Sequence, residues 1–181
     1  GEASGDLHGS NLIKELKKLD APAAIRCWVG DKMQATGATL VKHYRDLAFM
    51  GFSEVLKNLP TMFKNLAFCK TDILQYQPDA VILVDYPGFN LRLVKWAKEN
   101  GLKVIFYISP QVWAWKEGRV NLVKKYVDKM LVILQFEKEF YQRWNYDVDY
   151  VGHKLVEVIE QFIKEKAKLS TPNTQPTTKH H

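Results

Sequence analysis

Ala80-Val81-Ile82-Leu83-Val84-Asp85-Tyr86-Pro87-Gly88-Phe89-Asn90 is the stretch that decides the fold. Five apolar residues run straight into an acid, a proline and a glycine. A near-continuous apolar run of that length is a strand buried on both faces, as in a parallel sheet. Amphipathic spacing resumes immediately afterwards, so a helix over 89–98 follows the strand. The pattern recurs outward from this point. Residues 103–108 and 129–134 read as buried strands, 24–29 as a fourth, and 39–43 and 147–151 as short ones. Helical periodicity fills the gaps. Residues 7–19 place Leu12, Ile13, Leu16 and Leu19 on one side, and 119–126 behaves likewise. Strand and helix in alternation predict an α/β domain with a doubly wound, mainly parallel sheet.

The chain has 181 residues, enough for one domain with a core that needs no disulfide or metal. Cys27 and Cys69 fall in no metal or redox spacing and read as unpaired thiols of a reducing compartment. No leader pattern opens the chain, and no apolar run approaches the ~20 residues of a membrane span. The protein is expected in solution or on a surface. The net charge of +6 suits an anionic membrane or a phosphorylated ligand. The lysines, such as Lys14, Lys17, Lys95, Lys98, Lys124 and Lys125, are spread along helices, and no nucleic-acid motif accompanies them. Residues 170–181 are too polar to order themselves, so residues 169–181 read as a disordered tail.

Chemistry gathers where strands end, the edge at which open α/β sheets bind ligands. Asp85 is the candidate general base, since an acid at a buried strand end is costly and needs a reason. Asn90 either orients a hydroxyl or closes the turn. Ser109, Gln111, Trp113 and Trp115 follow the next strand as a sugar-stacking loop, and Arg119 can meet a phosphate. Glu137 and His153 follow later strands. The opening Gly1-Glu2-Ala3-Ser4-Gly5-Asp6 reads as a polar, glycine-rich turn leading into a helix, with Glu2, Ser4 and Asp6 as candidate ligand contacts. In a βαβ unit such a turn follows a strand, and none precedes it. Met50, Leu59, Met62, Phe63 and Leu66, flanked by Lys57, Lys64 and Lys70, suit a helix at an anionic membrane interface or around acyl chains.

Together these stretches resemble the lipid-A-disaccharide synthase family. The matching pieces are Gly1 to Asp6, Met50-Gly51-Phe52-Ser53-Glu54-Val55, Val84 to Asn90, Ser109 to Trp115, Phe136-Glu137 and Gly152-His153, in the family's order. The resemblance implies a GT-B glycosyltransferase, two Rossmann-like halves facing across a cleft. Residues 1–168 would be the N-terminal, acceptor-side half, without its first strand and without the nucleotide half. The implied reaction transfers 2,3-diacylglucosamine from UDP-2,3-diacylglucosamine to 2,3-diacylglucosamine 1-phosphate, with inversion and release of UDP. The family's catalytic acid falls on Asp85, and no metal or cofactor is implied. The implied location is cytoplasmic, peripheral to the anionic inner membrane, and a homodimer is allowed. The chain departs from the family pattern at Val29 (usually glycine), Gln135 and Lys154 (both usually proline). The segment alone is expected to be inactive. The competing reading is a non-catalytic, membrane-associating α/β domain.

Overall fold

The computed structural model describes residues 3–28, 30–43, 59–111 and 118–152. In chain order these form α1 (Ala3–Leu19), β1 (Arg26–Cys27), α2 (Asp31–Gln34), β2 (Thr39–Leu40) and α3 (Leu59–Tyr76). Then come β3 (Ala80–Val84), α4 (Pro87–Glu99), β4 (Lys103–Tyr107), α5 (Arg119–Tyr126), β5 (Lys129–Val132), α6 (Gln135–Gln142) and β6 (Asp149–Tyr150). The architecture is α/β with parallel sheets, as the apolar runs predict. Every strand pairing among the described residues is parallel. The strands fall into a four-stranded sheet, β3-β4-β5-β6, and a two-stranded sheet, β1-β2.

The sheet has two unlike faces. Along β4, Val104 and Phe106 are fully buried while Ile105 and Tyr107 are only partly so, the alternation that a strand's period of two imposes. Val104 and Phe106 join Met130 and Val132 of β5, Val94 and Ala97 of α4, and Val120 and Val123 of α5 in the main core. On the opposite face the Tyr107 ring meets His8 of α1 edge-on, with centroids 6.3 Å apart. Helices therefore cover both faces, which is what doubly wound means. A smaller core joins Ile13, Cys27, Met33 and Ala38.

Several boundaries differ from the sequence reading, each for a physical reason. Strand β1 spans only Arg26–Cys27, and β2 only Thr39–Leu40, because they have only each other to pair with. Residues expected at the end of the 129–134 strand turn instead into α6, where Leu134 precedes the first helical residue. Helix α1 begins at Ala3, so the glycine-rich stretch from Ser4 onward is helix rather than turn. The predicted helix over 155–169, the tail and the family departures at Val29 and Lys154 lie outside the described residues.

Helix α3 ties the two sheets together. Leu66 and Cys69 sit in the main core. One turn on, the Asp72 carboxylate accepts from Arg26 Nη2 at 2.5 Å, Arg26 Nε at 3.0 Å and Trp28 Nε1 at 3.0 Å. Tyr76 Oη donates to the Ala24 carbonyl at 3.0 Å. A two-stranded sheet of this length is not stable alone, so this bracket is what holds β1 and β2 in place.

Burial pushes the Asp72 carboxyl up, but the hydrogen bonds from Arg26 and Trp28 outweigh it and leave it below the ordinary carboxylate range. A depressed acid stabilises the fold fully above its unfolded value, about pH 4, and that stability is lost as pH falls through the lower folded value. Melting curves from pH 7 down to pH 3 should therefore fall less steeply for Asp72→Asn than for the wild type. Parallel curves would show that the bracket contributes nothing.

Candidate functional site

Because the strands are parallel, their C-terminal ends share one rim. Asp85 N–H still donates to the Tyr107 carbonyl at 3.0 Å, Ile108 N–H to Leu131 at 3.0 Å, and Val151 N–H to Val132 at 2.9 Å. The chain thus leaves each strand from a common line, and neighbouring exit points are ~5 Å apart.

Three of those exits pass through the left-handed region. Asp85 and Tyr86 have φ of 47° and 48°, Ile108 has 68°, and Gly152 has 81°. Glycine adopts this conformation freely, but for a β-branched residue such as Ile108 it is a genuine outlier. Strain of this kind persists only where the surroundings over-determine it, and it concentrates at functional sites. Here the surroundings can be named. Asn90, buried, donates its side-chain amide to the Val84 carbonyl at 3.2 Å and to the Asp85 carbonyl at 2.5 Å. Of the two roles open to Asn90, the structure gives it the closing of the turn, and so the positioning of Asp85. The half-buried Asp85 carboxylate has no hydrogen-bond or ion-pair partner among the described residues.

The second exit is held from below. Ser109 is buried, and its hydroxyl lies 2.7 Å from Tyr141 Oη and donates to the Pro110 carbonyl at 3.1 Å. Burial pushes the Tyr141 phenol up to about 12, against the lowering effect of the Ser109 hydrogen bond, so it stays neutral near pH 7. Gln111 stands exposed beyond this tie. Arg119, exposed at the start of α5, shares a shallow groove with Pro87, Leu91 and Arg92. Arg92, which donates to the Gly88 carbonyl, is a cation that sequence reasoning passed over. Its helical position gave no hint of the neighbouring groove.

Two acids read as ligand contacts turn out to cap helices. Asp6 is only 4% exposed, and its two oxygens accept the Lys32 and Met33 backbone N–H groups, each at 3.0 Å. Helix α2 opens on Gly30, which has no side chain to cap it, so Asp6 supplies the cap from another helix. Gly9 lets the helices approach: a Cβ there would lie 2.1 Å from Met33 Cε. Glu137, 2% exposed, accepts the Leu134 N–H at 3.1 Å in the first turn of α6. Ser4 is exposed in the first turn of α1. Glu2, Trp113, Trp115 and His153 lie outside the described residues.

The proposed membrane face divides. Leu66, 8% exposed, belongs to the main core, and Met62 packs against it. Phe63, on the other side of α3, is 55% exposed, and Leu74, three turns on, is 50% exposed. Leu59 opens the helix, and Met50 lies outside the described residues. Among the described residues no helix is long and apolar enough to cross a membrane.

Comparison with known proteins follows the same rim. The chain matches the family model for lipid-A-disaccharide synthetase over residues 1–179. It is 41% identical over 177 residues to a lipid-A-disaccharide synthase of Geobacter metallireducens, covering 98% of this chain and 46% of that protein. It is 42% identical over 160 residues to the synthase of Trichlorobacter lovleyi (88% of this chain, 42% of that protein). It is 40% identical over 155 residues to that of Coxiella burnetii (86% and 41%). The chain therefore spans less than half the length of these relatives.

The reassignment of Asp6 has a measurable consequence. Asp6→Ala leaves two α2 donors without their acceptor and should lower unfolding free energy by roughly 1–2 kcal/mol. Asp6→Asn, which keeps one acceptor oxygen, should lose less. Chemical denaturation checks both, and an unchanged Asp6→Ala midpoint would contradict the cap.

Proposed function

This chain belongs to the lipid-A-disaccharide synthetase family, and on that footing we propose that residues 1–168 are the acceptor-side half of a GT-B glycosyltransferase of lipid A biosynthesis. The reaction is transfer of 2,3-diacylglucosamine from UDP-2,3-diacylglucosamine to 2,3-diacylglucosamine 1-phosphate, with UDP as leaving group. One observation carries the reading. Asp85 is an unpartnered carboxylate on a left-handed turn at the ligand-binding edge of a parallel sheet, held there by Asn90.

The chemistry follows from that placement. An alcohol is a poor nucleophile until its proton has somewhere to go. The Asp85 carboxylate accepts the proton of the acceptor hydroxyl as that oxygen attacks the anomeric carbon from the face opposite UDP, and inversion results. Gln111 and Ser4 stand at the same rim to hold sugar hydroxyls, with Trp113, Trp115, Glu2 and His153 as further contacts. Arg119 and Arg92 present two cations to a phosphate. No metal or other cofactor takes part in this scheme. The donor nucleotide is bound by a second half, so the segment alone does not turn over.

The acceptor carries acyl chains, and an exposed apolar helix face suits the surface it comes from. Phe63 and Leu74 on α3, with Lys64 and Lys70 nearby, would rest against an anionic inner membrane from the cytoplasmic side. A purely membrane-associating domain would share that face but would have no use for Asp85.

Kinetics of a full-length synthase carrying this segment separate the two. Asp85→Asn should lower kcat at least ~100-fold while changing the acceptor KM little. Near-normal turnover would remove Asp85 from the mechanism. The membrane contact has its own measurement. Phe63→Ser combined with Leu74→Ser should reduce co-sedimentation with phosphatidylglycerol vesicles, and undiminished binding would place the contact elsewhere.

A further inference from the structure

A groove of about 570 Å³ runs between β1 and β3, the size of a ligand cleft rather than a packing flaw. Its side walls are the edges of the two sheets, which do not pair with each other. Its faces are helices: Leu12 and Leu16 of α1 line it, as do Cys69 and Ile73 of α3. Ile82, in the middle of a five-residue strand, remains 36% exposed because nothing fills the space beside it.

The main chain says what belongs there. Successive residues of an extended strand send their N–H and C=O to alternate sides. Asp85 N–H pairs with β4, so Val81 and Leu83 face β4, and Ala80, Ile82 and Val84 face the groove. The Ile25 and Cys27 carbonyls pair with β2, so Arg26 turns its main chain toward the groove from the other side. Both walls thus present strand-edge donors and acceptors. At the rim end Asn90 takes the Val84 carbonyl and closes the row. The Asp72 carboxylate, the charged group on the groove wall, is already neutralised by Arg26.

We propose that this groove is a strand-acceptor site: it takes up one extended, apolar, β-branched peptide of about five residues, lying parallel to β3. Hydrogen bonds to both walls would join the two sheets into one, and the side chains would pack against α1 on one face and α3 on the other. The rim, where Asp85 leaves β3, receives the C-terminal end of the peptide. A fatty acyl chain would match the apolar faces but would leave both rows of backbone groups without partners in a buried place, which costs about 1–3 kcal/mol per group. Peptide, which satisfies them, is the better occupant. The inference is independent of the sugar-transfer reading, since it rests on the sheet edges alone.

The experiment is fluorescence anisotropy with the purified chain and a labelled Lys-Val-Ile-Val-Ile-Ala peptide. Saturable binding with a rise in Tm is expected. The same peptide N-methylated at either alternate set of residues keeps its side chains but loses one row of donors, and should bind at least about tenfold more weakly. Ile82→Pro removes a groove-facing N–H without touching the β4 ladder and should do the same. Decanoate should not displace the peptide. Absence of binding would overturn the proposal, as would N-methylated peptides that bind equally well or displacement by decanoate. A dimer that the peptide does not dissociate would assign the groove to a second copy and overturn it too.

Discussion

The parallel ladder between β3 and β4 is the constraint on which the rest depends. It aligns Ala80–Val84 with Lys103–Tyr107 without a slip, pairing Ala80 with Lys103 and Val84 with Tyr107. A slip of one residue would turn Leu83 out of the core and exchange the faces of every side chain on β3. The register also sets where the chain leaves the sheet. Asp85 N–H is the last group on the ladder, so the carboxylate projects from the edge rather than from within the sheet. The Tyr86 N-cap and Pro87 then start α4 at once, leaving no slack between strand and helix.

Positioning at this rim comes from groups that cannot reach a ligand themselves. Asn90 fixes the Asp85 turn by its carbonyls, and Tyr141 fixes the Ser109 loop from the core. Both act through hydrogen bonds in buried surroundings, where an alternative partner such as water is scarce and a broken bond is expensive. The division of labour leaves Asp85 and Gln111 available. It also explains how Asp85, Tyr86 and Ile108 can persist on left-handed backbone.

Much of this was legible in the residues. The runs at 80–84 and 103–107 mark their strands, because burial on both faces leaves an uninterrupted apolar signature. Asp85 stands out because an acid follows directly on such a run. Local pattern fails where a partner is distant. Asp6 and its α2 donors are about 26 residues apart, and nothing near Asp6 reveals that Gly30 needs a cap. The same limit applies to Ser109 and Tyr141. On α3, Phe63 and Leu66 are both apolar and three residues apart, yet one is exposed and the other is core. Periodicity finds the stripe but not which edge of it meets the sheet. The glycines of 1–9 suggested a turn, whereas tertiary contact with Met33 holds Gly9 in a helix, a case of packing overriding propensity.

The central claim is that the rim around Asp85 receives an acylated amino sugar. Amide NMR of the ¹⁵N-labelled chain titrated with 2,3-diacylglucosamine 1-phosphate in mild detergent addresses it without requiring turnover. The account predicts saturable shifts clustered at Asp85, Phe89, Asn90, Gln111 and Gly152, with little change at Lys98, Asn100 or Asp128 on the far side of the sheet. Shifts confined to the exposed face of α3, or to the far side, with the Asp85 region unmoved, would contradict it.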